Sequence, residues 1–168
     1  MDPTALETDP DETPSTLLRA PEAPDPAALL TQAGLPFQRG AAEGLWVTSL
    51  LLAAQGRETV ALFAKPKGLR ADLRAVAAAL ALPRLGLARW SEPRWTLGQT
   101  AATLSPFGLM SAEGRSLAVA LDERLMAAPR LGFPGLRAAE RIWLTPDALM
   151  AFLASLGLAP KIGRFILE

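Results

Sequence analysis

Apolar residues fall in short runs divided by proline, glycine and charge, and the spacing inside each run predicts its element. LWVTSLLL (45–52) and RETVALFA (57–64) are dense in apolar and β-branched residues. AAQG joins them, which predicts a β-hairpin closed off by KPKG. LRADLRAVAAALAL then sets Leu69, Leu73, Val76 and Leu80 at helical spacing, and Pro83 stops that helix. DPAALLTQAG supplies Asp25 as N-cap, Pro26 at the first helical position and Gly34 past the end. TPDALMAFLASLG carries the strongest helix pattern, with Thr145 as cap, Pro146 next and Asp147 in the first turn. Its buried stripe is Leu149, Phe152, Leu153 and Leu156, and Gly157 ends it.

The remaining runs are shorter. LPFQ, RLGLA, RLGF, ERIWL and KIGRFILE read as strands, and RGAAEG as a loop. SEPRWTLG reads as a short helix between a Ser91 cap and Gly98, and DERLM as a helical turn. GLM and SLAVALD, joined by SAEG, predict a second hairpin. In it Leu117, Val119 and Leu121 alternate with smaller residues, as a half-buried strand requires. Helices do not alternate strictly with strands. The expected class is therefore α+β with a mixed, largely antiparallel sheet, not a doubly wound one.

Composition narrows the chemistry. The 168 residues suit one domain with a tail. Residues 1–24 are acidic and proline-rich and read as a disordered leader, leaving 25–168 as the folded domain. Residues 1–25 hold seven acids and one base, Arg19, so their net charge of −6 offsets +6 on the rest. A body of that charge attracts anions such as nucleic acid modestly. With no cysteine, disulfides and thiolate zinc sites are excluded. With no histidine, Ser-His-Asp and Cys-His nucleophile chemistry is excluded too. The start is acidic and no apolar run is long enough to span a bilayer, so a cytoplasmic protein without membrane contact is expected.

Phosphate-binding and dinucleotide glycine motifs are absent, and no cofactor or metal is expected. Glu43, Glu58, Asp72 and Asp122 are scattered and read as caps and surface groups rather than an acid/base pair. RLGLARWSEPRW mixes Arg84, Arg89 and Arg94 with Trp90 and Trp95. Those residues could stack bases and touch phosphates. An amphipathic helix with half-buried tryptophans is the favoured reading.

The order of elements and several strings resemble the YbaK/ProX-type aminoacyl-tRNA editing domains, in particular the prolyl-tRNA-editing branch. The strings are ADLRAVAAALAL (71–82), PRLGLA, SPFGL (105–109), VALDERLM, LGF (131–133) and LTPDALMAFLASLG, and together they cover about residues 26–168. The resemblance implies a mixed, partly barrel-like sheet wrapped by helices. It also implies hydrolysis in trans of the ester of mischarged tRNA, with tRNA as partner, no DNA and no cofactor. An aminoacyl ester is already activated, so the site needs a placed water, a donor for the developing oxyanion and a selective pocket. None of these requires histidine. By the resemblance Ser105, Pro106, Phe107 and Gly108 contribute to substrate binding. Proline fixes the backbone there and glycine permits close approach.

The pattern departs from the family on the substrate side. The family carries a Thr-Lys-Asn string on the first hairpin strand, where this chain reads VTSL. Thr48 stands in place of the lysine and Ser49 in place of the asparagine. Ala102 stands where a glycine precedes SPFGL, and GFPGLRAAE has Pro134 but neither the His-Pro nor the Asn that follow GF in the family. The segment LPFQRGAAEG is also short for the family's pocket-flanking helix. Thr48 and Ser49 are the catalytic candidates of a rebuilt site. Lys65 and Lys67 read as part of a solvated turn, with substitution for the missing lysine as the other reading. The alternative for the whole chain is a degenerate member that binds tRNA or a protein partner. The edited amino acid and the oligomeric state are left open.

Overall fold

The computed structural model describes residues 22–54, 58–89 and 91–167. Most of the acidic leader, the centre of the AAQG turn and Trp90 lie outside the described residues. The elements are α1 (Pro26–Ala33), β1 (Gln38–Arg39), β2 (Leu45–Ala54), β3 (Thr59–Pro66), α2 (Leu73–Leu80), β4 (Leu85–Leu87) and α3 (Glu92–Leu97). A 3-10 turn (Pro106–Met110) and α4 (Ala112–Arg115) follow, then β5 (Ala118–Asp122) and a second 3-10 turn (Glu123–Ala127). The chain ends with β6 (Leu131–Pro134), β7 (Arg141–Leu144), α5 (Pro146–Ser155) and β8 (Lys161–Gly163).

Eight strands form one mixed sheet in the order β1-β7-β6-β2-β3-β5-β8, with β4 paired to β2 off that path. The pairs β2–β3, β2–β4, β6–β7 and β1–β7 are antiparallel. The pairs β2–β6, β3–β5 and β5–β8 are parallel. The fold is α+β, as the element order predicts. Among the described residues no helix is long and apolar enough to cross a membrane.

Alternation along the hairpin divides its side chains between two cores. Val47, Leu51, Leu62 and Ala64 face the larger core, with Leu131, Phe133 and Ile142 from β6 and β7. Leu30 of α1, Leu149, Phe152 and Leu153 of α5, and Phe107 and Leu109 of the first 3-10 turn cover that side. Leu52, Ala61 and Phe63 face the smaller core, covered by Val76 and Ala77 of α2 and by Phe165. Capping places the helices as expected. The Ala27, Ala75 and Ala148 amides donate to the Asp25, Asp72 and Thr145 side chains. Ser91 makes no such bond at α3.

The structure corrects several expectations. GLM lies in a 3-10 turn and SAEG in a short helix, so SLAVALD, which does form a strand, has no hairpin partner there. Proline fixes the start of that turn, and the Ser111 side chain caps the helix by accepting from the Gly114 amide. β5 therefore pairs in parallel with β3 and β8, and its Val119–Asp122 are all buried instead of alternating. α2 ends at Leu80, before Pro83, through Ala81 at φ 55, whose amide bonds the Ala77 and Ala78 carbonyls. LPFQ contributes only Gln38 to a two-residue strand. KPKG does not break the hairpin, since β3 runs through Lys65 to Pro66.

Phe107 is fully buried, with its ring 5.5 Å from that of Phe133 and 5.1 Å from that of Phe152. It ties the 3-10 turn to β6 and α5. Phe107→Ala is expected to cost about 3–5 kcal/mol of unfolding free energy, read by denaturant titration.

Candidate functional site

SPFGL is a packed turn. The Ser105 amide donates to Gln99 Oε1 at 3.2 Å, and Gln99 Nε2 donates to Ser105 Oγ at 3.0 Å. Both residues are buried, so each side chain satisfies the other where water does not reach. A Cβ on Gly108 would lie 2.5 Å from Gln99 Oε1 and 2.8 Å from Leu97 Cβ, so that position is sterically reserved for glycine. Pro106, Phe107 and Leu109 are buried as well. The outer edge of the turn borders a cavity of about 610 Å³, lined by Gly108 and Met110 together with Asp25, Leu29 and Glu113.

Thr48 and Ser49 point to opposite faces of β2, as adjacent strand residues must. Ser49 follows Val47 and Leu51 onto the larger core, on the same side of the sheet as SPFGL. Its hydroxyl is buried without a hydrogen-bond partner. Thr48 lies on the other side with Leu50 and Leu52, half-buried. The structure therefore brings Ser49 to the SPFGL side and keeps Thr48 away from it.

Thr48 has a charged neighbour that its local sequence does not reveal. In the β2–β3 register it pairs with Lys65, so both side chains share one face. Lys65 is only 8% exposed, which overturns its reading as part of a solvated turn; Lys67 is exposed. Lys65 Nζ donates to the Pro66 carbonyl over a long 3.4 Å. Among the described residues no carboxylate forms an ion pair with it.

The row continues onto β5. The β3–β5 ladder ends at Ala64 and Leu121, and the next residues along it are Lys65 and Asp122. Asp122 caps the second 3-10 turn, one of its two expected roles, but is 1% exposed and so is no surface group. Its carboxylate accepts from the Phe165 amide at 2.9 Å and the Arg124 amide at 3.1 Å. Beyond it lies a polar cavity of about 550 Å³, which Asp122 lines with Asp72, Glu123, Arg124, Arg164 and Ile166.

Apolar groups bound the row lengthwise. Leu50 and Phe63 of the smaller core lie on one side. On the other, Trp46 meets Trp143 edge-on at 5.8 Å, with the Arg141 guanidinium 5.9 Å from the Trp46 ring centre. A Cβ on Gly132 would lie 2.6 Å from the Trp143 ring and 2.7 Å from that of Trp46, so glycine there lets both indoles pack. Thr48, Ser49 and Lys65 line neither cavity above, nor a third of about 360 Å³ at Arg39, Gly40 and Arg141. Ala102 is exposed and Pro134 is buried at the end of β6.

Solved structures share this architecture. A "putative trans-editing enzyme for prolyl tRNA synthetase" matches with a TM-score of 0.64 at 22% identity, over 84% of this chain and 94% of that one. The "hypothetical protein APE2540" matches with a TM-score of 0.64 at 15% identity, over 84% and 98%. A "putative signal transduction protein" from Marinobacter aquaeolei VT8 matches at 0.58 and 12% identity, with 31% of its chain covered. The chain has the YbaK-like α+β fold. No family model and no curated protein matches the sequence.

Burial lowers the Lys65 pKa from its ordinary value of 10.5, because desolvation penalises the ammonium. The unfolded chain holds this proton up to about pH 10.5, while the folded chain releases it earlier. The stability cost of the buried charge is therefore full below the lowered pKa and fades as pH rises toward 10.5. Lys65→Met is expected to be more stable than the parent at neutral pH, with a gap that narrows toward pH 10.5. Paired thermal melts across that range measure it, and a gap independent of pH would contradict the desolvated charge.

Proposed function

We propose that the protein hydrolyses the ester of mischarged aminoacyl-tRNA, of the prolyl type, in trans. The observation that carries this reading is the shared fold with the trans-editing enzyme described above, which runs along 94% of that chain. The chemistry is within reach of this composition. The ester needs a placed water and a donor for the oxyanion, and no histidine. The site of reaction is the Thr48 side of β2, where polar groups interrupt the apolar face. SPFGL acts from behind that face. Ser105, Pro106, Phe107 and Gly108 support the site indirectly, holding β6 through the Phe107–Phe133 contact. Ser49, whose buried hydroxyl has no hydrogen-bond partner, faces the SPFGL side and so stands apart from the Thr48 side.

A second reading has its own observation. Thr48 stands where the resembled family carries a lysine, and a hydroxyl cannot supply an ammonium's charge, which favours a non-catalytic module that binds tRNA or a protein. Assays on tRNA-Pro charged with a series of non-cognate amino acids separate the two. Turnover above the uncatalysed ester is expected, and Thr48→Ala should lower kcat/KM by about tenfold or more. Salt-sensitive tRNA binding without hydrolysis would install the second reading. An unchanged rate in Thr48→Ala would remove Thr48 from the site.

A further inference from the structure

Lys65 is the buried titratable group that packing leaves unexplained. Its ammonium carries three N–H donors, and the structure supplies one long acceptor, the Pro66 carbonyl. An interior ammonium without a carboxylate is costly, and replacing it by an apolar side chain would relieve that cost. Among the described residues, nearby charges form no ion pair with it. β2 presents Thr48 and Leu50 on this face, both uncharged. On β5, the Asp122 carboxylate is engaged by two backbone amides. In the turn that follows, Glu123 pairs with Arg164 at 3.1 Å, and Arg124 adds a like charge.

Register makes the position specific. Lys65 stands opposite Thr48, so its side chain occupies the face where a lysine at position 48 would project. A cation moved to the facing strand keeps its face and shifts its origin by one interstrand spacing, about 4.8 Å. A lysine stem is long enough to absorb that shift. Lys65 also stands one strand inward from Asp122, which lines the 550 Å³ polar cavity.

We propose that Lys65 is a catalytic residue of the ester-hydrolysing site, its ammonium donating a hydrogen bond from β3 to the carbonyl oxygen of the bound aminoacyl ester beside Thr48. This rests on the deacylase reading above. In the reaction, water adds to the ester carbonyl carbon and the bond from that carbon to the ribose oxygen breaks. One water proton passes to the ribose oxygen, and the other is released as the amino acid carboxyl ionises. Lys65 transfers no proton. It holds the charge that builds on the carbonyl oxygen, so it acts while protonated and its contribution falls as pH rises through its lowered pKa.

The test compares the full-length parent with Lys65→Met, Lys65→Arg, Thr48→Lys and the exchange variant T48K/K65T on mischarged tRNA-Pro. The expected result is a loss in kcat of about 100-fold for Lys65→Met, with Lys65→Arg retaining more. The exchange variant should recover at least a tenth of parental activity. It also decides the matter should Lys65→Met fail to fold, because it keeps one ammonium on the same face. A parent that turns over while Lys65→Met stays within about threefold of it overturns the Lys65 role and leaves the deacylase reading standing. An inactive parent whose Thr48→Lys variant gains turnover also overturns Lys65, because the face then works only with lysine on β2. Inactivity in the parent and in Thr48→Lys alike overturns the deacylase reading, and the Lys65 role with it.

Discussion

Strand β2 carries hydrogen bonds to β3, β4 and β6 and is buried against a different apolar core on each face. The register of β2 on β3 follows from that double burial. A slip of one residue would turn Val47 and Leu51 out of the larger core and Leu52 out of the smaller one. The β2–β3 register in turn sets which residues of β5 lie beside which residues of β2. The Thr48–Lys65 pair, and Asp122 beside it, are placed by this hairpin.

The same constraint shows why the polar row is unusual. A strand apolar on both faces has no natural place for a lysine, yet Lys65 sits in β3 with apolar neighbours along its own face on either side. Tertiary packing holds the ammonium in a medium that disfavours its charge. A titratable group perturbed by burial in this way marks a candidate functional site. SPFGL is the opposite case. Its side chains are absorbed into the larger core, against Phe133 of β6, and into the bond pair with Gln99.

Local physics made much of the fold legible. Asp25, Asp72 and Thr145 announce their helices because capping acts within three residues. The β2–β3 hairpin was legible because two β-branched apolar runs lie close in sequence. The run from SPFGLM to SLAVALD was misread because apolar content alone does not separate a buried 3-10 turn from a strand. Pro106 and the Ser111 cap decide in favour of the turn. The sequence of β5 reads as half-buried because its partners β3 and β8 are remote along the chain and parallel pairing leaves no turn motif. The site was legible only in part. Thr48 and Ser49 were found as departures from a pattern. Lys65 looked like a turn residue because KPKG has turn composition, and Asp122 looked like a surface group because nothing local predicts its burial.

By itself the sequence determined the α+β class, the starts of α1 and α5, the hairpin and the chemistry that is excluded, since no histidine or cysteine means no imidazole base and no thiolate. Those properties depend on residue identity and on short spacings. Tertiary structure decided that Thr48 and Ser49 face opposite ways into two cores, that SPFGL closes on Gln99 and Phe133, and that Lys65 is a buried partner of Thr48. These are consequences of strand pairing and burial between residues distant along the chain. Such pairings are chosen by how the whole apolar surface is best removed from water, a sum that no short stretch contains.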